Sequence, residues 1–244
     1  MKFKCRYVDR IDEPPTPSLF LSQRVRHALR FFYRHQQEGS HLSTADSSQQ
    51  ITEAWDEAVS DEKMQFSSLA EETALQQQAI GLVKAYLDRR DSDEGVPLAV
   101  DLSLECALID PTTGHDLGLP LRTVVDLVLD SSNGPVLVNF KTSSRSSAPL
   151  EIAHEIQLAC NAFAFRQDFG AAEHELQIRS LIKTKTPKTE THRYPARSDN
   201  HFQRLFSVIR EYCHAVSSRR FLYRPSWTCS MCELRENHCR QWQG

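Results

Sequence analysis

Apolar residues recur every three to four positions along residues 18–36, with Val25, Leu29 and Phe32 on one stripe. Arg24, Arg26, Arg30 and Arg34 dress the other sides, so the spacing predicts an amphipathic helix that Ser22 can cap. The stretch EGSHLSTADSSQQITE that follows is polar and predicts a loop or mobile insert. Leu75, Ala79, Leu82, Val83, Tyr86 and Leu87 trace a second helix, and Gly95 suits its stop. Beyond it the period drops to two. Leu98, Val100, Leu102, Leu104, Cys106 and Leu108 alternate with polar residues, which predicts a half-buried strand carrying Glu105 on its wetter face. LRTVVDLVLD and PVLVNFKTS read as two further strands, and the SSNGP between them predicts a hairpin. Residues 151–167 form a helix with Ile152, Ile156, Ala159, Cys160 and Phe163 turned inward and His154, Gln157 and Asn161 on a neighbouring stripe. ELQIRSLIKT predicts a fourth strand, and Phe202, Leu205, Phe206, Ile209, Cys213 and Val216 mark a last helix. This order predicts one α/β domain over 1–244, a central mixed sheet flanked by helices. Its parts are a helical region 18–95 with a polar insert at 37–62, a core at 96–185, and a C-terminal helix with a cysteine-rich tail at 200–244.

With 244 residues and 40% hydrophobic content the chain can bury a sizeable core. No stretch approaches the ~20 apolar residues of a membrane span, and the first residues carry no signal-peptide pattern, so a cytoplasmic protein with no membrane partner is expected. The net charge of -3 says little about partners, but its distribution says more. From Asp46 to Glu94 there are 12 acidic and 4 basic residues; from Arg179 onward, 13 basic and 5 acidic. The later half is the electropositive one.

The candidate chemistry sits on the predicted hairpin. Leu137, Asn139 and Lys141 share one strand face. A two-residue turn at Asn133 and Gly134 sets Asp126 opposite Lys141, and a four-residue turn sets it opposite Asn139. Either register gathers an acid, an amide and a lysine, because cross-strand Cβ atoms lie roughly 5 Å apart. Glu105 on the preceding strand can join them. Oxygen ligands of this kind suit a hard cation such as Mg²⁺, and a lysine beside it can orient water, a set fitted to phosphodiester hydrolysis.

VVDLVLDSSNGPVLVNFKTS followed by EIQLACNAFAF resembles the PD-(D/E)XK nuclease superfamily, in particular its RecB-like branch, which includes CRISPR-associated iron–sulfur exonucleases. The resemblance runs from about Ser18 to Trp242 and implies a restriction-endonuclease-like core. It also implies a Mg²⁺- or Mn²⁺-dependent DNA nuclease acting in repair, recombination or defence. DNA is the implied partner, alongside a helicase or another repair, recombination or CRISPR-type subunit. Asp126, Asn139 and Glu105 fall at the implied metal positions, Lys141 at the catalytic lysine and Gln157 at the helix glutamine. Asn139 stands where the family carries an acid, and Asn161 where it carries a tyrosine. The first departure removes a negative charge, so the rival expectation is a catalytically impaired DNA-binding subunit of a larger complex.

Two features remain. The tail WTCSMCELRENHCRQW sets Cys229, Cys232 and Cys239 in a C-x2-C-x6-C pattern, and seven cysteines with no secretion signal favour a metal site over disulfides. A Zn²⁺ site and an iron–sulfur cluster both suit these ligands, with Cys5 or His27 as the completing group and His238 beside the last cysteine. By resemblance the tail is expected to hold a [4Fe-4S] cluster. Cys106, Cys160 and Cys213 lie on apolar faces and read as core residues. IRSLIKTKTPKTETHRYPAR carries Arg179, Lys183, Lys185, Lys188, Arg193 and Arg197 against one acid, Glu190, and Lys183, Lys185, Lys188 and Arg193 are the expected DNA contacts.

Overall fold

The computed structural model describes residues 3–11, 15–91, 93–146, 151–221, 229, 232 and 234–239, without the side chains of 151–153, 236 and 237. It divides into two compact units, Thr16–Leu205 and the combination of Met1–Pro15 with Phe206–Gly244. No helix among the described residues is long and apolar enough to cross a membrane.

The larger unit is built on a five-stranded mixed sheet in the order β1 (Val96–Ile109), β2 (Asp116–Ser131), β3 (Gly134–Ser143), β4 (Glu175–Ile182) and β5 (Lys188–Pro195). The first three strands are an antiparallel meander, β4 runs parallel to β3, and β5 returns antiparallel to β4. Parallel neighbours need a crossover, and the helix α5 (Glu151–Phe169) supplies it. Strand β5 replaces what the sequence suggests is partly loop, and its alternating threonines suit an edge position.

Helices α1 (Pro17–Gln37) and α4 (Leu69–Leu87) cover one sheet face. Phe20, Leu21, Val25, Leu29, Leu82 and Val83 pack there with Leu127, Leu129, Val138 and Phe140. At about 25 cal/mol per Å², this burial is the main stabilising term of the unit. The other face carries the buried Val128, Leu137 and Ile178, and α5, with Leu158, Ala159, Ala162 and Phe163 buried, packs there against β1 and β2. The predicted inward Ile156 is instead exposed, because the buried stripe is centred one position round, on Leu158 and Ala162. The first turns of α6 (Asp199–Ser217) pack on α5 through Phe163 and Phe202, whose ring centroids are 5.8 Å apart.

Two local readings need correction. Thr16, not Ser22, caps α1: its side chain accepts from Leu19 N–H at 3.3 Å, with Pro17 at the first helical position, where a missing N–H costs nothing. The polar stretch after α1 is no loop, for it forms α2 (Thr44–Glu53) and α3 (Trp55–Asp61). Ser43 and Asp46 make a reciprocal capping box, and Ile51, Trp55 and Ala58 bury against the core, with Trp55 edge-on to Phe20 at 5.1 Å. Three apolar side chains spaced at helical intervals outweigh the polar composition around them.

The smaller unit holds a π-helical turn (Lys4–Val8), the remainder of α6, and a short α7 (Leu234–Asn237). Phe3 meets Tyr212 edge-on and stacks on Phe221, with ring centroids 5.2 and 6.3 Å apart, which ties the first residues to the end of α6.

Candidate active site at the splayed end of β2 and β3

The hairpin register decides which groups meet. Ser131 pairs with Gly134, so the turn residues are Ser132 and Asn133, and the ladder continues to Leu127 opposite Val138. Gly134 takes φ +117°, a conformation that suits glycine. Counting one residue past the ladder sets Asp126 opposite Asn139, with Lys141 two residues on along the same strand face. Here the backbone ladder stops and side chains replace it. Asp126 Oδ2 accepts the Phe140 N–H at 2.9 Å, and Asn139 Nδ2 lies 3.4 Å from both Asp126 Oδ2 and the Val124 carbonyl. A carboxylate that caps a backbone N–H in this way wedges the two strands apart and is itself pinned.

Asn139 is held from its other side too. Asn161 on α5 donates to Asn139 Oδ1 at 2.6 Å, and Thr123 Oγ1 donates to Asn161 Oδ1 at 2.5 Å. The two residues that depart from the expected family pattern therefore touch each other. Both are buried, and together they satisfy one another's amides. Gln157 lies on α5 between Asn161 and His154, whose ring feels the charge of Lys141. Burial, reinforced by Lys141 and His192, lowers the His154 pKa from its usual 6.5. Burial lowers that of Lys141 as well; neighbouring Arg26 adds to the fall and Asp126 opposes it.

Glu105 does not reach this site. It pairs across the sheet with Arg122, 2.7 Å away, and its side chain is 54% exposed. Arg122 stands four residues before Asp126, so Glu105 sits about 13 Å along the strands at ~3.3 Å per residue. The acid that does reach is Asp101, which the alternation on β1 assigned to no role. Leu102 pairs with Val125 and Val100 with Leu127, so Asp101 lies opposite Asp126. Its φ is +58°. The signal available beforehand was its position exactly four residues upstream of Glu105, on the same strand face, in a strand whose length alone left the partner open.

Two arginines of α1 complete the constellation. Arg26 Nε is 3.1 Å from Asp126 Oδ1, and Arg26 Nη2 is 3.4 Å from the Phe140 carbonyl. Arg30 Nη2 lies 2.7 Å from Asp101 Oδ1 and 3.4 Å from Asp126 Oδ1. Asp101, Asp126 and the Phe140 carbonyl thus present hard oxygen atoms to a common cationic region. That donor set fits Mg²⁺ or Mn²⁺, which take one or two carboxylates and fill the remainder with water and phosphate oxygens. Among the described residues no three His, Cys, Asp or Glu side chains are arranged to hold a metal ion. Glu155, also on α5, is engaged by Arg204 and adds no acid to the site.

The remaining expected residues scatter. Lys183 donates to Ser18 Oγ at 2.8 Å, and its main chain bonds Ser143 at the site end of β3, where Thr142 meets Ser22. Lys185 and Lys188 are exposed nearby, Lys188 pairing with Ile182. Arg193 sits at the opposite end of β5, paired with Glu175 at 3.0 Å, and Arg179 is buried. The basic run is therefore not one continuous track.

In the smaller unit, Cys5 shares its surroundings with Cys239, and Cys232 N–H points to the Cys229 carbonyl at 3.4 Å. Burial raises the Cys5 thiol pKa, and Asp9 and Cys239 push it further up. His27, on α1, belongs to the other unit. The described thiols do not converge as a metal site, and an iron–sulfur cluster has no support there. Trp227 and Trp242 lie outside the described residues. Cys106, Cys160 and Cys213 are half-buried and not in the core, and burial pushes the Cys160 thiol up to about 11.

A family model described as the PD-(D/E)XK nuclease superfamily matches residues 1–240. The chain belongs to that superfamily. A protein described as "Putative exonuclease" from Eubacterium rectale is 15% identical, with a TM-score of 0.57 over 95% of this chain and 77% of its own, a likeness of fold. The structure named SSO0001 is 12% identical over 96% of this chain and 90% of its own, with a TM-score of 0.37. None of the curated proteins matches the chain.

Proposed function

We propose that this chain is a Mg²⁺- or Mn²⁺-dependent deoxyribonuclease of the RecB-like branch, working on DNA in repair, recombination or defence. The observation that carries the reading is the convergence of Asp101, Asp126, the Phe140 carbonyl and Lys141 where β2 and β3 part. Asp101 and Asp126, with that carbonyl, would hold the ion. When bound, it polarises the phosphate and eases deprotonation of the attacking water. Lys141 would orient that water and offset the charge that builds on phosphorus, a role suited to an ammonium group without a competing ion pair among the described residues. Lys183, Lys185 and Lys188 at the same end of the sheet would hold the backbone. Asn139 donates to Asp126, and Gln157, on α5 one turn before Asn161, would orient the site or the scissile strand.

Cleavage of single- and double-stranded DNA with Mn²⁺ tests this. Lys141→Ala should cost about 10²- to 10³-fold, the typical loss for one transition-state donor. A variant that cuts as fast as the parent removes Lys141 from the mechanism.

A second reading, a DNA-binding subunit that does not hydrolyse, draws on the lock around Asn139, whose amide oxygen and nitrogen are both spent internally. Asn139→Asp separates the two. A large gain in cleavage marks the parent as impaired; no gain, in a parent already active, favours the enzyme. For the tail, Cys5 and Cys239 share surroundings, and a metal held by Cys5, Cys229, Cys232 and Cys239 would need these thiols to draw together. Metal analysis after anaerobic purification decides this.

A further inference from the structure

The oxygens suited to the ion are already facing cations. Arg26 spans Asp126 Oδ1 and the Phe140 carbonyl, while Arg30 spans Asp126 Oδ1 and Asp101 Oδ1. Both guanidiniums come from one helix, four residues apart and so one above the other on the same face. Neither is fastened by well-directed hydrogen bonds. The Nε atoms of Arg26 and Arg30 are buried and without a hydrogen-bond partner, although Arg26 Nε is close enough to Asp126 to form an ion pair. The contacts to Asp126 and Phe140 are long at 3.4 Å where they are hydrogen bonds at all. Charge holds these groups in place more than geometry does, and charge is what a divalent ion would supply instead.

We propose that Arg26 and Arg30 are resident counter-ions that occupy the divalent-ion position, so that ion binding requires their displacement from Asp126. This rests on the metal-dependent reading above and adds a residue set that sets the site's ion affinity. Two unit positive charges within about 4 Å of the ion's oxygens oppose a further cation by an amount large enough to dominate affinity. Lys141, which also feels Asp126, adds to the positive field. The rest of the surroundings are Asp101, which Arg34 approaches at 3.8 Å, and the neutral Asn139–Asn161 pair. The site thus carries more fixed positive than negative charge before any ion arrives.

Mn²⁺ alone, without DNA, is the probe, titrated calorimetrically or by the electron paramagnetic resonance of the free ion. The full chain is compared with Arg26→Met, Arg26→Gln and Asp126→Ala, each checked for folding by circular dichroism. Arg26 is 34% exposed, so its replacement should leave the fold intact, and the glutamine variant keeps a polar side chain there if methionine does not. The expected result is a gain in Mn²⁺ affinity of at least about tenfold in either Arg26 variant, lost when Asp126→Ala is added. An unchanged affinity in variants that do bind Mn²⁺ through Asp126 overturns the counter-ion role and leaves the nuclease reading standing. No Mn²⁺ binding in any variant overturns both.

Discussion

Helix α1 contributes to two neighbouring ion networks, one through Arg26 and Arg30 and one through Tyr33, and they are built to different standards. Around Tyr33, Arg179 pairs with Glu94, and the side chains of this pair are 7% and 4% exposed. Every partner is supplied: Glu94 Oε1 accepts from Tyr33 at 2.9 Å and from Arg90 at 2.8 Å, while Arg179 reaches the Tyr86 hydroxyl at 2.7 Å and Gln177 at 2.8 Å. Burial holds both phenols in their neutral, donating form by raising their pKa values. Around Arg26 and Arg30 the same kinds of charge sit at 34% and 20% exposure with misdirected contacts and Nε atoms that lack hydrogen-bond partners. A satisfied network is a staple for the fold, because disrupting it strands a buried charge; an unsatisfied one is cheap to rearrange. The difference marks which network is free to exchange its partners.

Arg179→Met should weaken the first network by up to about 3–5 kcal/mol, because Glu94 stays buried with Arg90 as its one remaining cation among the described residues. For a chain of this size that lowers the melting temperature by roughly 10 °C in calorimetry, and a shift of only a degree or two would erase the contrast. Arg30→Met should cost about 1 kcal/mol or less in urea denaturation, since Asp126 keeps Arg26 and the Phe140 N–H. A loss as large as that of Arg179→Met would show both networks to be structural. Glu105→Gln should change Mn²⁺-dependent cleavage by less than about twofold, because only an exposed ion pair to Arg122 is lost. A large drop in rate would place Glu105 back in the site.

Much of this was legible beforehand. Long periodic segments such as α1, α4 and β1 carry their apolar spacing openly, and the hairpin brings Asp126, Asn139 and Lys141 together in any plausible register. The insert at α2 and α3 reads as loop in the sequence because Ser, Thr and Gln outnumber its three anchoring apolar residues, of which Trp55 packs on Phe20 in another helix. Asp101 escapes a reading of β1 by alternation for a related reason. Asp101 and Glu105 alternate on the same face of β1, and only the pairing with β2 tells which one stands opposite Asp126.

Local sequence determined the longer helices, the strands β1 to β4 and the presence of an acid and a lysine on adjacent strands, since those follow from periodicity and turn chemistry acting over a few residues. Tertiary structure decided the register at the turn, the choice of Asp101, the mutual lock of Asn139 with Asn161, and the arrival of Arg26 and Arg30 from a helix far upstream. Such contacts join segments remote along the chain, and their energies come from packing and charge in the folded state, which spacing along the sequence does not record.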